Sequence, residues 1–386
     1  MIRLDKKENC CGCEACKQVC PRKCISFQYD EEGFMYPQIN KKDCVDCGLC
    51  EKVCPIQNKT PHRKPLDVLA AYNKNESVRK KSSSGGMFYL LAKKIIENHG
   101  VVFGAKFNKT WGVEHDFTEH LEELSLFMGS KYVQSRIGDN FLKIRAFLKQ
   151  GRLVLFSGTP CQVKALKLFL RKEYENLLLV EVLCHGVPSP ILWEKYIHEQ
   201  YCMEETTIIE KLSFRWKVSL WETYHLYCKS STGGKSKEKS EPFNDSLWGK
   251  AFVQNLFLRP SCYSCPVKYL SSGSDITLGD FWGIDNYHKE FNDHKGASLV
   301  MVNTKKALAF IDKLDFKYVE SVYEYAVKYN KVIEKAYELN GKRKTFYDFY
   351  KKEGNLLKAI EKYTKPSWIV RLKSKIKRII KRIIRK

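Results

Sequence analysis

The stretch from Cys10 to Pro21, CCGCEACKQVCP, returns in closely similar form from Cys44 to Pro55 as CVDCGLCEKVCP. Cys10, Cys13, Cys16 and Cys20 recur 34 positions later as Cys44, Cys47, Cys50 and Cys54. A C-x2-C-x2-C loop wraps three thiolates around one iron-sulfur cube, and in two-cluster ferredoxins the Cys before Pro ligates the other cube. The spacing therefore assigns Cys10, Cys13, Cys16 and Cys54 to one 4Fe-4S cluster and Cys44, Cys47, Cys50 and Cys20 to a second. Each proline turns the chain away from the cluster and removes a backbone donor. Structural zinc is the alternative, but it wants two plus two thiolates across a longer gap. Cys11 and Cys24 fall outside the pattern and read as small buried hydrophobes.

The 386 residues exceed one average domain, so two or three folding units are expected. The N-terminus MIRLDKKENC lacks the apolar core of a signal peptide, and no uncharged apolar run is long enough to span a bilayer. A cytoplasmic location follows as an expectation, and there 16 cysteines suit metal better than disulfides. The net charge of +23 is concentrated at the end: residues 371–386 hold nine Lys or Arg and no acid. The remaining excess is spread out and is weak ground for a nucleic-acid partner, so none is expected.

Residues 1–60 read as the cysteine-rich module, with a hairpin turning near Glu32-Gly33 and a polar linker, QNKTPHRKP, behind it. Apolar β-rich runs (DVLAAY, GVVFGAKF, RLVLFSG, NLLLVEVL) then alternate with amphipathic stretches (MFYLLAKKIIEN, NFLKIRAFLKQ, PILWEKYIHEQ). Strand then helix, repeated, predicts an α/β core with substantially parallel pairing. From about residue 205 the chain turns β-like and aromatic, interrupted by SSTGGKSKEKSEP, which reads as an exposed flexible loop. Residues 304–364 return to helical periodicity.

Four further cysteines stand apart. Cys161 and Cys184 each follow a predicted strand, and Cys262 and Cys265 form CYSCP. They could converge on a third 4Fe-4S cluster, hold zinc, or simply pack. Cys202 and Cys228 belong to no motif. Ser83, Ser84, Gly85 and Gly86 precede an amphipathic helix, where they make either a phosphate cradle or an ordinary serine cap. Asp280, in SDITLGDFWGI, lines a pocket or caps a turn.

With these residues in view, the chain resembles the coenzyme F420 hydrogenase/dehydrogenase beta-subunit family. SSGGMFYLLA, GSKYVQS, SGTPCQVKAL, CHGVPSPILW, CYSCP and SDITLGDFWGI carry the likeness, in order, over about residues 66–285. The resemblance implies an α+β ferredoxin-like dicluster module followed by an α/β flavin-binding domain in two parts, 66–150 and 151–320. A helical extension over 321–365 and a basic tail helix over 366–386 complete the division. It implies a third cluster on Cys161, Cys184, Cys262 and Cys265, and FAD with its pyrophosphate at Ser83, Ser84, Gly85 and Gly86. Lys131, Gln134, Thr159 and Asp280 become flavin-pocket candidates. The implied activity is an oxidoreductase linking ferredoxin-type clusters through FAD to a hydride-accepting molecule, coenzyme F420 or another. Its partner would be ferredoxin or another oxidoreductase subunit. A non-catalytic electron-transfer adaptor is the alternative.

In the tail, Ile369, Leu372, Ile376, Ile379, Ile380 and Ile383 share one helical face among the cations, beside Trp368. This fits a helix lying on an anionic membrane, here the inner face of the cell membrane, or an amphipathic helix docked on protein.

Overall fold

The structure, a computed structural model, describes residues 2, 4–202 and 204–365. In the first module two short helices, Ala15–Val19 and Leu49–Lys52, accompany an antiparallel hairpin of β1 (Ile25–Tyr29) and β2 (Met35–Ile39). The turn falls where the alternation places it. Asp30 Oδ1 accepts from the amides of Glu32 and Phe34, and Gly33 takes a φ of +78°. A Cβ on Gly33 would lie 2.5 Å from Ile191 Cβ, so the hairpin tip meets the core too closely for a side chain.

The predicted strands behind the module build one eight-stranded sheet. The chain lays down β3 (Asp67–Tyr72), β4 (Val101–Phe107), β5 (Val113–Thr118), β6 (Val154–Gly158) and β7 (Leu177–Val182). A separate three-stranded sheet of β8 (Ile208–Trp216), β9 (His225–Thr232) and β10 (Lys235–Pro242) intervenes. The chain then returns with β11 (Ile276–Asp280), β12 (Ser298–Val302) and β13 (Lys317–Glu320), giving the order β13-β3-β12-β11-β7-β6-β4-β5. Pairing is parallel through β4, β6, β7 and β11, with Val101 opposite Val154, Val154 opposite Leu177 and Ile276 opposite Val180. β12 runs antiparallel to both β11 and β3, because the short loop between β11 and β12 holds no crossover helix. β3 therefore points the same way as the parallel four, and five strands end at one edge.

Both faces of this sheet are covered. Alternate residues Val101, Phe103, Val154 and Phe156 pack beneath helices Asn140–Lys149 and Pro160–Leu170. Val102, Leu155 and Leu178 pack against Met87, Leu91 and Ile95 of helix Met87–Glu97. The cysteine module shares the first of these cores through Cys13, Ala15 and Val53. Polar contacts fix its orientation: the buried Glu14 carboxylate accepts from the amides of Ile137 and Gly138, and Gln18 Oε1 accepts from the amides of Phe141 and Leu142. Arg343 grips Glu32 with two bonds of 2.7 and 2.5 Å. The linker is fastened as well, since Arg63 N donates to Tyr269 O and His62 stacks on Tyr269.

Two expectations need correction. Residues 230–242 are not a flexible loop: they form the end of β9, a Gly233-Gly234 turn and β10. Both glycines have positive φ, as a two-residue hairpin turn requires, and alternating Lys and Glu protect an exposed edge strand. The 304–364 region is not helical throughout, because β13 adds an edge strand beside β3. Helices Arg343–Glu353 and Leu356–Thr364 bury Phe346, Leu356, Ala359 and Ile360 against a cluster containing Trp193 and Trp248. No helix among the described residues is long and apolar enough to cross a membrane. The tail of 366–386, with its expected amphipathic face, lies outside the described residues.

Candidate iron-sulfur and cofactor site

The positive φ of Gly12 and Gly48 bends each cysteine loop back on itself. Cys16 is buried beside Cys10, Cys54 and Cys50, and burial followed by those neighbouring thiols pushes its own thiol well above the ordinary range. Cys13 lies beside Cys16 and Cys54. This is the first expected quartet. Cys20, Cys44, Cys47 and Cys50 line one small cavity, which is the second, and Cys47 is exposed at its rim. Cys24 lines the same cavity with its sulfur 3.4 Å from that of Cys20, so it is a fifth thiol there rather than mere packing.

The third set assembles at the sheet's C-terminal edge. Cys161 sits in the first turn of helix Pro160–Leu170, directly after β6; there Pro160 presets the backbone, and Gln162 Oε1 accepts from the Thr159 amide at 2.9 Å. Cys184 follows β7. Cys262 lies in helix Pro260–Tyr263, and Cys265 follows it. Burial, then the presence of Cys184, Cys265 and Cys161, raises the Cys262 thiol. Cys184 is pushed up to about 12 by burial and by Cys161 and Cys265, against the opposing pull of Lys268. Thiols crowded in this way resist ionisation without a cation, and a bound metal reverses that balance.

Cys11 links the first and third sets by hydrogen-bonding with both Cys13 and Cys161. Two cations flank this junction. Arg259 is fully buried and donates to Cys10 O at 2.7 Å, Met35 O at 2.9 Å, Gln134 Oε1 at 3.0 Å and Cys10 Sγ at 3.5 Å. Lys164 is 1% exposed, and its Nζ has no hydrogen-bond partner among the described residues. The thiols nearest Lys164 in charge terms are Cys265, Cys11 and Cys54, drawn from both quartets and the link between them. A buried ammonium facing thiols without a partner fits an anionic group held by those thiols, and four thiolates around an iron-sulfur cube carry such a charge.

The flavin-pocket candidates divide into two groups. Gln134 and Thr159 belong to the cysteine side: Gln134 donates to Cys11 O at 3.1 Å, and Thr159 Oγ1 lies 3.2 Å from Cys161 Sγ. Ser83, Lys131 and Asp280 gather around Arg215, which β8 brings in from the second sheet. Arg215 donates to both Asp280 oxygens, to Ser83 O and to Tyr132 Oη, and its guanidinium stacks 3.7 Å from the Tyr224 ring. Ser83 Oγ accepts from Ser130 N, next to Lys131, whose ammonium donates to Met128 O and Gly129 O. Desolvation lowers Lys131 to about 7.

Ser84 and Gly85 bond inward: Ser84 Oγ donates to Ala297 O at 2.6 Å and Gly85 N to Ser298 Oγ at 3.0 Å. A Cβ on Gly85 would fall 2.3 Å from Ala71 O, so glycine is required there by the sheet itself. Gly86, with φ of +86°, opens helix Met87–Glu97. Two buried donors near this loop lack partners among the described residues, Asn73 Nδ2 and Arg215 Nε. They fit a polar or anionic ligand at the helix start.

Between the two groups runs a buried relay. Gln162 Nε2 donates to Ser135 Oγ, Ser135 Oγ meets His115 Nδ1 at 2.9 Å, and His115 Nε2 meets Ser157 O at 3.0 Å. The carbonyl acceptor requires the proton on Nε2, and burial lowers His115 to about 4. A histidine held neutral in the fold takes up its proton more readily when unfolded. Stability is therefore complete above pH 6.5 and falls as pH drops from 6.5 to about 4, by about 3 kcal/mol in all. His115→Gln should flatten the slope of urea-unfolding free energy against pH in that window, and an unchanged slope would assign the dependence elsewhere.

Sequence reasoning missed Arg259, Lys164, Arg215 and Lys268. A basic residue gives no sign of burial until the fold shows what surrounds it.

Residues 151–323 match the family model for the C terminus of the beta subunit of coenzyme F420 hydrogenase/dehydrogenase, and residues 9–58 match the 4Fe-4S dicluster domain. No protein of curated function matches the chain. Among solved structures, a chain of the F420-reducing NiFe hydrogenase complex from Methanosarcina barkeri is similar at 17% identity and a TM-score of 0.46, covering 75% of this chain and 94% of that one. With a 4Fe-4S dicluster domain at its front and the beta-subunit domain behind it, the chain belongs to the coenzyme F420 hydrogenase/dehydrogenase beta-subunit family.

Proposed function

We propose that the chain is an iron-sulfur flavoprotein oxidoreductase passing electrons between an external carrier, three 4Fe-4S clusters and FAD, and on to a hydride-accepting organic molecule, coenzyme F420 or another. The observation that carries this reading is the junction at Cys11, where the quartet of Cys10, Cys13, Cys16 and Cys54 meets that of Cys161, Cys184, Cys262 and Cys265 beneath two buried cations. A bound flavin, stable in one- and two-electron states, supplies the step between single-electron carriers and hydride chemistry. The chain's own part is placement and electrostatics. Its cysteines hold the clusters in sequence from the exposed Cys47 inward, Arg259 and Lys164 offset negative charge at the junction, and Arg215 with Asp280 ties Ser83 and Tyr132 into the floor of the ligand site. Asn73, Lys131 and the start of helix Met87–Glu97 are the groups offered to an anionic cofactor. The reading keeps the protein in the cytoplasm, with its basic tail resting on the inner face of the membrane.

A second reading, an adaptor that moves electrons to a partner oxidoreductase without flavin, is favoured by one observation. Ser84 and Gly85 use their hydroxyl and amide inside the fold. Anaerobic purification separates the two. About twelve irons and one FAD per chain are expected, whereas about twelve irons without flavin would select the adaptor. Zinc in place of iron would remove both readings.

A further inference from the structure

Beside the second cysteine quartet the surface opens into a groove of about 640 Å³ between helix Leu49–Lys52 and helix Pro160–Leu170. Its walls are strongly basic: Lys52, Lys167, Arg171 and Lys172 contribute four cations, and Lys164 closes the floor. Glu173 is the single acid lining the groove, and it pairs with Lys167 at 3.1 Å. Lys52, Arg171 and Lys172 are exposed. Leu49 lines this groove and also the cavity of Cys20, Cys44, Cys47 and Cys50, so one side chain separates the basic surface from the outermost cluster site. Lys52 and Cys50 share the same short helix.

We propose that this groove is the docking site for an acidic one-electron carrier protein, which delivers to or draws from the cluster of Cys20, Cys44, Cys47 and Cys50; the proposal rests on the electron-transfer reading above. Electron-transfer partners form small, transient interfaces, and charge complementarity raises their encounter rate rather than their affinity. A cationic surface adjoining an exposed cluster site meets that need. It collects an acidic partner where the path for the electron is shortest. The side of the module turned toward the sheet is already filled by Glu14, Gln18 and their partners, so the carrier must approach from the groove side.

The test uses the full chain, anaerobically loaded with clusters, and two reductants: a reduced acidic two-cluster ferredoxin and reduced methyl viologen, a small cation that needs no basic groove. Stopped-flow bleaching of the clusters should show a ferredoxin rate that falls steeply with ionic strength. In the triple variant Lys52→Glu, Arg171→Glu, Lys172→Glu that rate should drop at least tenfold at low salt, with the methyl viologen rate within twofold of the parent. An unchanged ferredoxin rate overturns the docking site, and so does an equal loss with both reductants. If the unsubstituted chain accepts electrons from neither reductant, the electron-transfer reading itself falls.

Discussion

Replacing Cys262 by serine is expected to lower the iron content of the anaerobically purified chain from about twelve to about eight per chain, with the eight irons of the front module retained. The argument is geometric. Cys262 sits one turn after Arg259, whose amide donates to Val187 O and whose carbonyl accepts from Cys262 N, so the backbone bearing the thiol is fixed independently of metal. Serine keeps that backbone and nearly the same volume but offers a hydroxyl, which is a poor ligand for iron beside three thiolates. The front quartets take no ligand from this helix, so their irons stay. Electrons from reduced ferredoxin should then still enter the module but reach a bound flavin at least a hundredfold more slowly. Iron that remains at about twelve would show that Cys262 is not a ligand. Cys11, hydrogen-bonded to Cys161, is the neighbouring thiol able to replace it. The paired control is Cys11→Ser in the parent chain, which should leave the iron content at about twelve.

The repeated cysteine loops were readable in advance because metal ligation imposes a spacing on the chain itself, and the pairing of Cys54 with the first loop and Cys20 with the second follows from that spacing alone. The central strands were equally legible, since residues buried on both faces, such as those of LVLF and LLLVEV, must be apolar without interruption. β12 was less so. Its sequence, SLVMV, is as apolar as its neighbours, but its direction depends on the loop before it, and residues 281–297 carry no helical period to forbid or require a crossover. The GG turn between β9 and β10 was mistaken for a linker because its flanking Lys and Glu satisfy an exposed edge strand and a solvated loop equally well. At the site, Cys161 and Cys184 were found by position, each at the end of a strand. Gln134 was placed by resemblance at the flavin, and the structure seats it between Cys11 and Arg259 instead, on the cysteine side. Arg215 reaches Asp280 from 65 positions away in the chain, and such a pairing leaves no local trace.

Lys164→Met should change sign between the empty and the loaded protein. Without clusters, the ammonium is 1% exposed and has no hydrogen-bond partner among the described residues, and burial lowers its pKa from the ordinary 10.5. A lysine so depressed costs stability in full at pH values below its folded pKa, and the cost fades as pH rises towards 10.5. Methionine fills nearly the same volume without charge, so the apo variant should be more stable than the parent by roughly 1–3 kcal/mol in urea at neutral pH, with a smaller difference in alkali. With clusters bound, the same cation sits between two anionic groups and favours their reduced, more negative states. Removing it should lower the midpoints of the first and third clusters together, by at least a tenfold change in the oxidised-to-reduced ratio, or about 59 mV for one electron. The second cluster, whose cysteines do not face Lys164, should hold its midpoint. Lys164→Arg should restore both values. Redox titration followed by electron paramagnetic resonance reads the three clusters separately, and a uniform shift of all three would mean that the substitution acts through the fold rather than through its charge at the Cys11 junction.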